Sequence, residues 1–69
     1  MSVKPIRLWR KLRKAGGTPV KGGGSGHRVI KYNGRRAQVP FHGGSYEISD
    51  RLVDKILADL GLTRGDLGL

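Results

Sequence analysis

The sequence predicts a small α+β domain of order α-β-β-β-α, with a three-stranded antiparallel sheet and two helices on one of its faces. Three observations predict it. Apolar residues recur at helical spacing near both ends of the chain, they alternate over residues 27–40, and Asn33-Gly34 sits in the middle of that alternating run. At 69 residues the chain makes one domain, of a size that removes only about 60% of the unfolded surface from water. It has no cysteine, so one apolar core must hold it together. No apolar run approaches the roughly 20 residues of a membrane span, and the N-terminus lacks the apolar segment of a signal peptide. A soluble, cytoplasmic protein is the expectation.

The first helix is read from "KPIRLWRKLRKAGG", where Ile6, Trp9, Leu12 and Ala15 form one stripe and cations occupy the rest of the circumference. Pro5 suits a first helical position, and Gly16-Gly17 ends the run. "TPVK" is a short strand candidate. "HRVIKY-NG-RRAQVP" is a hairpin, because Asn-Gly accepts positive φ at both centres of a two-residue type I′ turn. "EISDRLVDKILADLGL" is the second helix. Ser49 caps it, Ile48 staples back onto Val53, and Gly61 takes the left-handed position after its last turn. The closing "TRGDLGL" is too short and glycine-broken to assign.

The turn fixes the register of the hairpin. With Asn33-Gly34 at its tip, Ile30 faces Ala37, Tyr32 faces Arg35 and Arg28 faces Val39, all on one side of the sheet. That side holds most of the apolar residues and is the one expected to pack on the helices. His27, Val29, Lys31, Arg36 and Gln38 share the other side, which places a titratable ring among cations. Arg28 and Val29 each break the pattern.

Charge points to the partner. Fourteen Lys and Arg oppose five acids, a formal net charge of +9. Residues 1–46 carry eleven cations and no acid, whereas residues 47–69 carry three cations and all five acids. A positive field so concentrated attracts polyanions, of which nucleic acid is the usual one, with an acidic protein the other possibility.

The run "GSGHRVIKYNGRRAQVPFH", followed by an acidic residue and an amphipathic helix ending "LADLGL", resembles the HicA family of bacterial toxins, small basic ribonucleases of toxin–antitoxin pairs. Gly24-Ser25-Gly26-His27, Gly34-Arg35-Arg36, Val39-Pro40-Phe41-His42 and the helix over 48–62 fall in the family's order. The likeness covers about residues 4–62. It departs in the extra glycine of "KGGGSGH" and in Gly26 between Ser25 and His27. The resemblance implies a fold similar to double-stranded-RNA-binding domains and endonucleolytic cleavage of mRNA dependent on His27. It also implies an acidic HicB-type antitoxin that covers the site. The organisation expected is one RNA-cleaving domain over 1–62 and a short C-terminal tail, 63–69.

The residues suit that chemistry. RNA carries its own nucleophile, the 2′-hydroxyl, so cleavage needs a group to take that proton, one to protonate the leaving 5′-oxygen, and positive charge at the phosphoryl oxygens. Histidine as a residue type titrates near neutrality and serves either proton role. Lys31, Arg36, Arg28 and Arg35 are candidate phosphate contacts. The backbone of Gly24, Ser25 and Gly26 lets a phosphodiester come close. Extending the register past Pro40 sets His42 opposite Ser25 and diagonal to His27, at a spacing of roughly 7–8 Å. His42 is then either a second acid–base group or a residue that fixes the turn into the second helix.

Other chemistries fit poorly. "GGGSG" is followed by neither the Lys-Ser/Thr nor the helix of a phosphate-binding loop. Two histidines fifteen residues apart, with no cysteine and no nearby acid, make a poor zinc site, so no metal or other cofactor is expected. Ser25 lacks an acid–base pair for acyl chemistry. Trp9 lies on the apolar stripe and is assigned to the core, while Phe41 is unassigned. The competing functional reading is a non-catalytic module that holds structured RNA through phosphate contacts, or a small basic component of a ribonucleoprotein.

Overall fold

The computed structural model describes residues 2–24 and 26–69. Its elements are α1 (Pro5–Lys14), β1 (Thr18–Val20), β2 (His27–Tyr32), β3 (Arg35–Pro40), α2 (Asp50–Leu60) and α3 (Arg64–Leu67). The strands form one antiparallel sheet in the order β1-β2-β3.

Asn33 and Gly34 have φ of 51° and 81°, the left-handed conformations that a tight hairpin turn demands. Each β2–β3 pair therefore falls where a two-residue turn puts it, from Tyr32 opposite Arg35 to His27 opposite Pro40. Ile30, Ala37 and Val39 point to the helices and are buried with Leu8, Trp9 and Leu12 of α1 and Val53, Ile56, Leu57 and Leu60 of α2. Gly17 brings the end of α1 against the sheet. A Cβ there would lie 2.6 Å from Ile30 Cδ1 and 2.9 Å from the Leu12 carbonyl oxygen.

The buried face of α1 differs from the expected stripe. Pro5, Leu8, Trp9 and Leu12 face the core, whereas Ile6 is 43% exposed. Steps of three residues drift around a helix that advances about 100° per residue, and a stripe that stays on one face must alternate steps of three and four. Pro5, Leu8, Trp9 and Leu12 do so; Ile6 lies a quarter turn away.

α2 begins and ends where its caps say. The Ser49 hydroxyl accepts from the Leu52 N–H at 3.3 Å, and Gly61 adopts φ 75°. Ile48 is buried in the same cluster as Val53, and it also exchanges two backbone hydrogen bonds with Val3, tying the N-terminal segment to the approach of α2. Beyond Gly61, Thr63 and Asp66 form a reciprocal capping box for α3, which buries Leu67. Arg64 reaches back to α2, donating to Asp54 at 2.7 Å and to Asp50 at 3.2 Å. Asp54 first, then Asp50, favour the charged form of that guanidinium. No described helix is long and apolar enough to cross a membrane.

Candidate functional site

Strand alternation leaves His27, Lys31, Arg36 and Gln38 on the face turned away from the helices. Val29 shares this face yet is buried. The segment Gly22-Gly23 folds over it, and a Cβ on Gly23 would sit 3.2 Å from Val29 Cγ2. Lys21, one residue beyond β1, lines the same space as His27. Ser25, part of the predicted loop, lies outside the described residues; Gly24 accepts from the His27 N–H at 3.1 Å, and Gly26 turns at φ 79°.

His42 comes to the same place from the other strand. The Phe41 N–H donates to the Gly26 carbonyl, so pairing continues one residue beyond Pro40. The His42 ring then lies edge-on to His27, with centroids 5.6 Å apart. Tyr46 also meets the His42 ring, at 4.6 Å and nearly perpendicular. His42 thus makes ring contacts with both Tyr46 and the predicted catalytic His27.

His27 is itself oriented. Its Nδ1 lies 3.1 Å from Gln38 Oε1. An amide oxygen there accepts from Nδ1–H, so in the neutral ring Nε2 is the nitrogen left unprotonated. Both rings line a groove of about 760 Å³ that also takes in Lys21, Arg36 and Gln38, and that passes over β3 to Lys55 and Asp59 of α2. Lys55 is occupied by Asp59 at 3.1 Å. Lys21 and Arg36 have no ion pair among the described residues, which leaves the groove positive beside the histidines.

The predicted site residues therefore divide. His27, His42 and Arg36 converge on the groove, with Lys31 opposite Arg36 in the ladder. Arg28 and Arg35 project to the helix side. The Arg28 guanidinium covers Phe41, and Arg35 lies beside Gly61 at the end of α2. Lys21, Gln38 and Tyr46 line the groove although the sequence reading gave them no role in the site. Gln38 was within reach of sequence reasoning, since the register places it opposite Val29 and so diagonal to His27. Tyr46 sits in an irregular loop, where no periodicity gives its direction. Among the described residues, no three His, Asp or Glu side chains gather as metal ligands.

A comparison with curated proteins gives no match. Residues 7–62 match the family described as HicA toxin of bacterial toxin-antitoxin.

Proposed function

The chain belongs to the HicA family of toxins from bacterial toxin–antitoxin pairs, and on that premise we propose that it cuts mRNA internally without a metal ion. His27 Nε2 takes the proton of the 2′-hydroxyl. The 2′-oxygen attacks the adjacent phosphorus, a 2′-O–P bond forms, and the P–O5′ bond breaks. A protonated His42 supplies the proton that the 5′-oxygen needs as it leaves. The products are a 2′,3′-cyclic phosphate and a 5′-hydroxyl, and the two histidines exchange protonation states in the process. Arg36, Lys31 and Lys21 hold the phosphoryl oxygens, whose negative charge grows in the transition state.

The observation that carries this reading is the pairing of two histidine rings 5.6 Å apart, one with Nδ1 engaged by Gln38, in a groove with uncompensated cations. A base and an acid must both reach one phosphate, and two neighbouring rings meet that need. An acidic HicB-type antitoxin silences the toxin by covering the groove, since its carboxylates and RNA phosphates compete for the same cations.

The test is incubation of the purified protein with mRNA in EDTA, beside His27→Ala. The expected result is cleavage by the wild type that the chelator does not stop, and a loss on the order of 10²–10⁴-fold in the variant, the usual contribution of one positioned acid–base group. Near wild-type cleavage by His27→Ala, with the fold intact, would overturn the mechanism. Cleavage abolished by EDTA would overturn its independence of metal.

A further inference from the structure

His27 and Arg28 are consecutive in β2, so their side chains leave on opposite faces of the sheet. Phe41 and His42 divide in the same way just beyond β3. The result is two side-chain pairs back to back at one end of the hairpin. His27 with His42 occupies the open face; Arg28 with Phe41 occupies the helix side.

The second pair is ordered. Arg28 Cζ stands 4.1 Å from the Phe41 centroid and 5.7 Å from that of Trp9, and Trp9 and Phe41 meet edge to face at 5.6 Å. Arg28 remains exposed and has no carboxylate partner among the described residues. An arginine seated over an aromatic pair is a planar cation held in place by its ring contacts. A small hollow of about 250 Å³ lies in front of Trp9 and Arg28, and it shares Lys21, Gly22, His27 and Val29 with the histidine groove. The two spaces share this wall around the start of β2.

We infer that this hollow is a nucleobase subsite, in which the base beside the scissile phosphate stacks on the Arg28 guanidinium, braced from behind by Phe41 and Trp9. The inference rests on the reading of the groove as an RNA-cleaving site. Single-stranded RNA is held by just such surfaces, arginine planes and aromatic rings that accept the flat face of an unstacked base. With its phosphate at the histidines, a strand leaving past Lys21 meets Arg28 next. Arg28 then helps choose where the chain is cut, while taking no part in the proton transfers.

Trp9 is the only tryptophan, so its fluorescence reports on this hollow directly. The probe is a short 2′-O-methyl oligoribonucleotide, which lacks the attacking hydroxyl and cannot be cleaved. The wild type should change its Trp9 emission on binding, and Arg28→Ala should bind on the order of tenfold more weakly. Arg28→Lys, which keeps the charge but loses the plane, should fall nearly as far. An abasic position scanned along the probe should reproduce the loss at one site in the wild type and add nothing in Arg28→Ala, the non-additivity of two halves of one contact. Equal affinity of wild type and both variants would overturn the inference, as would full affinity of Arg28→Lys for the intact probe. Cleavage assays of wild type and His27→Ala test the nuclease reading separately, because the binding measurement requires no turnover.

Discussion

Replacing Gln38 by leucine should leave His27 on its strand but free its ring to turn. The hydrogen bond at Nδ1 sets both the tautomer and the direction of Nε2, so Gln38→Leu should lower kcat with little change in KM. Gln38→Glu, which still accepts from Nδ1, should recover much of the rate. A loss seen only in KM would show that Gln38 contacts the RNA instead of the ring. His42 gives a sharper test through pH. A base that must be neutral makes the rate fall on the acid side, and an acid that must be protonated makes it fall on the alkaline side. If His42 is the acid, His42→Ala should cut slowly and lose the alkaline limb while keeping the acid one. An unchanged bell with the fold intact would return His42 to a positioning role between His27 and Tyr46. Phenylalanine at 46 should preserve the ring packing, so Tyr46→Phe should keep the profile unless the phenol itself contacts RNA.

Secondary elements here are set by a few positions whose reasons differ, and those reasons decide what could be read in advance. The hairpin was legible to the residue, because Asn33-Gly34 permits one turn and the turn leaves one register. The caps of α2 were equally plain, Ser49 and Gly61 being residue types with a single strong use at those places. The face of α1 was misread, since a stripe taken in steps of three drifts around the helix and admits Ile6, where alternating steps of three and four select Leu8. The cover over Val29 was hidden too, for glycine runs specify freedom and not direction. Three substitutions test these distinctions. Gly17→Ala should destabilise by about 1–3 kcal/mol, the range for overpacking, because the new Cβ meets the backbone oxygen of Leu12 as well as Ile30. Gly24→Ala, where nothing lies within 4 Å of the added atom, should be close to neutral. Ser49→Ala should cost about 1 kcal/mol through the lost cap. Thermal or urea unfolding of the three variants checks the order, and a Gly17→Ala protein as stable as wild type would contradict the close approach of α1 to β2.

At the scale of the whole molecule the charge is divided as the chain is. The ion pairs of Lys55 and Arg64 use acids of α2, while no cation in residues 2–46 makes an ion pair among the described residues. Two basic surfaces result: the cationic circumference of α1 and its N-cap, with Lys4, Arg7, Arg10, Arg13 and Lys14, and the groove with Lys21 and Arg36, beside which Lys31 stands opposite Arg36 in the ladder. RNA bound in the groove should release counterions from contacts there, at a slope of about −0.7 in log K against log salt for each phosphate neutralised on a single strand. Arg36→Ala should therefore flatten the slope by about 0.7, the loss of one such contact, and Arg13→Ala should leave it nearly unchanged. The reverse result would move the RNA path to α1. The antitoxin makes the same division visible in another way. An acidic chain that covers the groove should protect it from RNA and lose affinity with Arg36→Ala, and its complex with the wild type should come apart at high salt. If that complex still cut RNA, or bound Arg36→Ala as tightly as wild type, neutralisation would have to act from the α1 side, and the +9 charge would serve two partners on two faces.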